Sequence, residues 1–204
     1  MPVRSLAPLV PMTESPAMVH VLDDDADLGA AVARMLARQG FVTQAFDDPA
    51  ALLAAYPDRT AHAVVTDVMM GEWHGFAFAE RLRALDPHVA ILFMTAWPSA
   101  AHAVDSVRLH GGIDYLDKPI DEARLCASLR EGVAWSMERR AAARRLGDLS
   151  PRERQVFDLM VQGHGNKAMA GLLGLSPKTI EDHRAAVFLK TQTQSVAQLI
   201  ALSR

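Results

Sequence analysis

Short apolar runs recur along the first two thirds of the chain, and an amphipathic stretch follows each of them. MVHVL, VTQAF, AVV, AILFM and DYL alternate with segments such as Leu28, Val32, Met35 and Leu36, spaced i, i+4, i+7, i+8. The runs read as five strands and the stretches between them as helices with one apolar face. Strict β–α alternation leaves few architectures open: right-handed βαβ crossovers build a parallel sheet with helices on both faces. After DKPI, a helix opening near Asp121 places Leu125, Leu129, Val133 and Met137 four apart and continues into ERRAAARR. Beyond Gly147 the strands stop. SPRERQVFDLM starts with Ser150 as N-cap, Pro151 in the first turn and Glu153 three residues after the cap, which is a capping box. A short helix from Asn166, a turn at GLS, a helix capped by Ser176 ahead of Pro177, and a last helix in SVAQLIAL complete an all-α segment.

At 204 residues, half of them hydrophobic and 22% charged, the chain is long enough for one or two buried cores. No run approaches the roughly 20 apolar residues that span a bilayer. The opening MPVRSLAPLVPMTESPAM is broken by Pro2, Pro8, Pro11 and Pro16, so it reads as a disordered tail rather than a signal peptide, and a cytoplasmic location without membrane contact is expected. Cys126 is the single cysteine, which excludes an internal disulfide framework and a thiolate metal site. The net charge of −3 conceals a split: residues 1–137 hold 10 Lys/Arg against 18 Asp/Glu, whereas residues 138–204 hold 11 against 6. A basic C-terminal third is a candidate for nucleic acid, although a solvated basic helix has the same signature.

Ligands of parallel α/β sheets gather at the carboxyl ends of the strands. In this chain the first strand runs into Asp23, Asp24 and Asp25, the third into Asp67, the fourth into Thr95, and the loop after the fifth carries Lys118 before Pro119. Carboxylates crowded together repel, and a hard divalent cation with oxygen ligands relieves that repulsion. Lys118 adds a second positive charge and Thr95 a hydroxyl, which completes the parts needed to hold a phosphoryl group. A single acid at a strand end is as readily a turn former or helix cap; five polar residues at matching strand ends are not explained that way.

LDDD, TDVMMGEWHG, MTAW and YLDKP, in this order and spacing, resemble the receiver domain of bacterial two-component response regulators over about Val19–Arg130. The resemblance implies a flavodoxin-like, doubly wound five-stranded domain with Asp67 as covalent phosphoacceptor. Mg²⁺ (or Mn²⁺) would be held by Asp24, Asp67 and the Met69 backbone carbonyl, with Asp23 acting through water. Thr95, Ala96 and Lys118 would meet phosphoryl oxygens, and Tyr115 would turn inward as Thr95 is drawn to the phosphate. Two departures stand out. Gly71 occupies a position where the family usually has Pro, which is expected to loosen the acceptor loop, and Trp97 is large for its place after Thr95.

LSPRERQV and NKAMAGLLGLSPKTIEDHR resemble the LuxR-type helix-turn-helix over about Leu149–Leu202, so the whole chain looks like a FixJ/NarL-family response regulator. By that resemblance residues 1–17 are a tail, 18–130 the receiver, 131–147 a helical linker and 148–204 the DNA-binding domain. On the second helix of the motif Lys178, Glu181, Asp182 and Ala185 share one face and Ile180 and Val187 the other, the division a groove-entering helix needs. Lys178, Thr179, Arg184 and Lys190 are expected on phosphates and Glu181, Asp182 and Ala185 near base edges. The implied partners are a histidine kinase, double-stranded promoter DNA and, on phosphorylation, a second copy of the chain. That copy would pair through the helix around Ala100–Leu109 and the strand Asp114–Leu116, or through Val196, Leu199 and Ile200 on DNA. KTQTQS departs from the family, which tends to have Leu and Gly after the Lys.

Two other functions fit parts of the chain. One is a DNA-binding regulator whose receiver binds protein without being phosphorylated. The other is a haloacid-dehalogenase-type phosphatase, which also sets an Asp, a Thr and a Lys around Mg²⁺. Such an enzyme carries its nucleophile on the first strand, and Asp67 would then be unexplained. The expected function is regulatory rather than enzymatic.

Overall fold

The computed structural model describes residues 16–97 and 111–203. The expected N-terminal tail up to residue 15 and the expected pairing helix around Ala100–Leu109 lie outside the described residues. Contacts along the chain divide it after Ser136 into two units.

In the first unit β1 (Met18–Leu22), β2 (Val42–Phe46), β3 (Ala63–Asp67), β6 (Ala90–Thr95) and β7 (Asp114–Asp117) form a parallel sheet in the order β2-β1-β3-β6-β7. Every residue of β3 and β6 is buried, as expected of central strands covered on both faces. Helices Ala26–Arg38, Pro49–Ala55 and Gly75–Leu85 connect the strands among the described residues, the first two capped by Asp25 and Asp48. Tyr56, Phe78, Leu82, Ile91 and Phe93 form much of the core. Leu22 pairs with Thr66 and Asp67 with Met94, so β1, β3 and β6 end side by side. All five expected strands are present, and β3, β6 and β7 run one or two residues further than the apolar runs because Thr66, Asp67, Thr95 and Asp117 still lie in the ladder.

A small hairpin absent from the sequence reading follows β3: β4 (Met69–Met70) pairs antiparallel with β5 (Trp73–His74). Gly71 turns it with φ 54°, a left-handed conformation that glycine adopts freely and that proline, fixed near −65°, cannot. Gly71 therefore forms the turn of this hairpin.

The helix Glu122–Gly147 begins where Asp121 Oδ1 accepts the Arg124 N–H at 3.1 Å. Leu125, Leu129 and Val133 are buried, as their spacing predicts. Gly132 and Ser136, read as linker, are buried in the first unit too, and a Cβ on Gly132 would lie 3.0 Å from the Ala90 methyl. The second unit adds helices Pro151–Val161, Asn166–Leu173, Pro177–Thr191 and Val196–Leu202 around Val156, Phe157, Met160, Met169, Ile180, Val187 and Leu199. The Ser150–Glu153 capping box and the Ser176 cap form as the sequence predicts. Gly174 makes the left-handed turn between the second and third of these helices at φ 64°. No helix among the described residues is long and apolar enough to cross a membrane.

Candidate functional site

The level ends of β1, β3 and β6 bring the strand-end acids together. One carboxylate oxygen from each of Asp23, Asp24 and Asp67 lies within 4.8 Å of the others, Asp23 and Asp67 buried and Asp24 exposed. A single ammonium serves two of them: Lys118 Nζ donates to Asp23 Oδ2 at 2.7 Å and to Asp67 Oδ2 at 2.6 Å. Lys118 arrives there because its backbone N–H donates to the Thr95 carbonyl at 2.7 Å, which ties the loop after β7 to the end of β6.

One positive charge for three carboxylates leaves the pocket short of cations. Burial pushes the Asp23 carboxyl above its ordinary value, and the hydrogen bond from Lys118 does not offset it. Burial alone would lower Lys118, but its bonds to Asp23 and Asp67 outweigh that and hold the ammonium above its ordinary value. These carboxylates form a hard oxygen donor set that fits a divalent cation.

The backbone shapes the acceptor. Asp67 Oδ1 accepts the Met69 N–H at 3.2 Å, and Val68 N–H donates to the Met94 carbonyl at 2.9 Å. Gly75 closes the loop: its N–H donates to the Val68 carbonyl at 2.8 Å, and a Cβ there would overlap the Asp67 carbonyl oxygen and sit 3.0 Å from Val68 Cα. Only glycine lets the next helix start this close to the acceptor strand.

Thr95 is buried, and its Oγ1 accepts the Trp97 N–H at 3.1 Å, so its own proton is free to point elsewhere. Ala96 is exposed, and the Trp97 side chain projects into solvent, 73% exposed. Tyr115 lies inward against the core, and its phenol oxygen is buried without a partner among the described residues. Met69 is half exposed beside the acids.

Two family models match this chain: the response regulator receiver domain over residues 19–130 and the luxR family of bacterial regulatory proteins over residues 148–203. The transcriptional regulatory protein FixJ of Azorhizobium caulinodans is 34% identical over 91% of this chain and 90% of its own. The chain belongs to the FixJ/NarL-type response regulators. The tetrathionate response regulatory protein TtrR of Salmonella typhimurium is 31% identical over 90% of both chains. Among solved structures, full-length FixJ from B. japonicum aligns with TM-score 0.53 at 34% identity over 92% of this chain and 95% of that one. The response regulator StyR aligns with TM-score 0.54 at 27% identity over 93% of this chain. A response regulator of this type joins a receiver to a LuxR-type DNA-binding domain, and the chain is a transcription regulator.

In the DNA-binding domain of this response regulator, the helix Pro177–Thr191 turns Ile180, Val187 and Thr191 inward. Lys178, Glu181, Asp182 and Ala185 are exposed, Thr179 and Arg184 half-buried. Lys178 Nζ lies 3.1 Å from Asp182 and 3.9 Å from Glu181, so the outward face carries its own ion pairs. Lys190 is used differently from its expected phosphate contact: its Nζ donates to Glu153 Oε2 at 2.7 Å and to the Asp148 carbonyl at 3.3 Å. Together with the Ser150 backbone N–H at 2.7 Å, Lys190 holds the Glu153 carboxyl down to about 2. Nothing in the local sequence announces this pair, because 37 residues separate its members.

Proposed function

We propose that Asp67 accepts a phosphoryl group from a histidine kinase and that the phosphorylated chain acts on promoter DNA in the cytoplasm. What carries the reading is Lys118 bridging Asp23 and Asp67 beside a third carboxylate. Three carboxylates against one ammonium favour a divalent cation, and that cation together with Lys118 offsets the negative charge of a phosphoryl group. Asp24, Asp67 and the Met69 carbonyl would hold Mg²⁺ or Mn²⁺, with Asp23 acting through water; the ion supplies neutralisation of phosphoryl oxygens. An Asp67 carboxylate oxygen attacks phosphorus in line, the new O–P bond forms as the P–N bond of a phosphohistidine breaks, and the imidazole departs with the electron pair. The Lys118 ammonium and the Thr95 hydroxyl hydrogen-bond phosphoryl oxygens, and the Ala96 backbone lies beside them.

Phosphorylation adds roughly −1.5 to −2 charges next to Lys118. Turning Thr95 toward them withdraws the hydroxyl from the Trp97 N–H, whereas Tyr115, expected to turn inward at this step, already lies buried against the core. The receiver surface so altered pairs with a second copy, which places two DNA-binding domains on a two-fold site and raises the effective concentration of the second. On DNA, Lys178, Thr179 and Arg184 contact phosphates, Lys190 joins them only by leaving Glu153, and Glu181, Asp182 and Ala185 meet base edges.

Acetyl phosphate with Mg²⁺ should add one phosphoryl group to the full chain by intact mass, none to Asp67→Asn, and shift the sedimenting species from monomer toward dimer. An equal adduct on Asp67→Asn would remove the acceptor assignment, and one unchanged sedimenting mass would remove the pairing.

A further inference from the structure

Taking roughly 100° per residue, Ile180, Val187 and Thr191 cluster within about 40° on the recognition helix. All three are fully buried, so they fix the direction of the core. The opposite pole carries Lys178, Asp182, Ala185 and Leu189, with Glu181 at its edge. Leu189 lies nearest that pole and is 80% exposed, more than any other large hydrophobic side chain among the described residues. A single exposed leucine on a protein surface needs no explanation. This one is informative because of where it stands: it continues the proposed base-reading face by one turn beyond Ala185, where nothing in its own domain covers it.

We infer that Leu189 is a specificity-determining residue that reads a thymine. Resting on the DNA-binding reading above, it assigns the two ends of the helix different chemistry. Glu181 and Asp182 present acceptors suited to the N4 amino group of cytosine. Ala185 and Leu189, spaced i, i+4, present an uncharged aliphatic strip suited to the C5-methyl of thymine, the one apolar group that a base pair shows in the major groove. An aliphatic side chain at this pole offers no hydrogen bond to guanine or adenine edges and no charge to phosphate. Seven residues separate Asp182 and Leu189, a rise of about 10 Å, which is at most roughly three base pairs along the duplex. The half-site therefore carries a methyl-sensitive thymine within about three base pairs of the base pair that Glu181 and Asp182 discriminate.

The test uses the full chain, treated with acetyl phosphate and Mg²⁺, and a duplex selected by it from random sequences. Each thymine is replaced in turn by deoxyuracil, which removes only the methyl group. One replacement per half-site should weaken wild-type binding about fourfold, the value of one buried methyl-sized group. Against Leu189→Ala the same replacement should cost nothing, while base preference at the Glu181 position stays unchanged. Because Leu189 is exposed, its substitution should leave the circular dichroism melt unaltered. A uniform loss on every duplex, marking a sugar–phosphate contact, would overturn the proposal. So would unchanged DNA preferences accompanied by altered sedimentation, marking a protein contact. Failure to select any duplex would instead defeat the DNA-binding reading on which the proposal rests.

Discussion

Each unit holds a lysine against a carboxylate, and the two pairs are built for opposite purposes. In the helix-turn-helix unit Lys190 meets Glu153, which also accepts from the Ser150 backbone N–H, and the carboxyl falls to about 2. Donors match the acceptor, and the pair fastens the end of one helix to the cap of another. In the receiver Lys118 is shared by Asp23 and Asp67 with Asp24 nearby, and burial still raises Asp23. Here acceptors outnumber donors. The same two functional groups give a rivet where the charges balance and a binding site where they do not, since a buried cluster with excess negative charge gains most from an incoming cation.

The largest expected effect tests whether that imbalance depends on the backbone around it. Gly75→Ala should cost about 3 kcal/mol, because its Cβ meets main chain at Asp67 and Val68 rather than a side chain that can swing away. Urea unfolding followed by the fluorescence of Trp73 and Trp135 would measure it, and a loss below about 1 kcal/mol would mean that the loop has room to adjust. Removing the two lysines compares the pairs directly. Lys118→Met should cost about 2 to 3 kcal/mol by leaving Asp23 and Asp67 facing each other, and Mg²⁺ should restore most of it. Lys190→Met should cost only about 1 kcal/mol, since that lysine is 38% exposed and solvent screens its charge, and Mg²⁺ should restore none. Equal response of both variants to Mg²⁺ in thermal melts would erase the distinction drawn between them.

The rivet should also be visible in acid. The folded Glu153 value of about 2 lies below the ordinary 4.5, so its stabilisation is complete above 4.5 and drains away as pH falls from there toward 2. Protection of the Ser150 amide, whose N–H Glu153 accepts, taken relative to the intrinsic exchange rate at each pH, should fall across that window in the wild type and be low throughout in Glu153→Gln. The smallest effect is a gain. Gln192 ends the recognition helix at φ 55°, a left-handed conformation that costs a non-glycine residue about 1 kcal/mol. Gln192→Gly should stabilise the unit by about 0.5 to 1 kcal/mol and raise its midpoint by a few degrees in a circular dichroism melt. A fall in midpoint would indicate that the Gln192 side chain makes a contact worth more than the strain.

Local pattern carried much of this protein openly. Short apolar runs and period-3.6 hydrophobicity located the strands and helices, Ser150 with Glu153 and Ser176 with Pro177 marked helix starts, and βα alternation forced a parallel sheet whose strand ends gather Asp23, Asp24, Asp67 and Thr95. Each of these signals lies within a few residues of what it specifies, so the sequence alone displays it. Gly71 shows where such reading stops: a glycine in place of proline looks like slack until the partner of β4 is known, four residues on, and then it is the turn of a hairpin. The bridge from Lys118 to Asp23 spans 95 residues and that from Lys190 to Glu153 spans 37, and no local periodicity encodes which cation meets which acid at such separations. Only the packed fold decides that, because a charge pair depends on distance and burial in three dimensions. For Leu189 the helical spacing from Ile180 and Val187 gives the outward direction, and the packed fold adds that nothing in its domain covers it, leaving it 80% exposed.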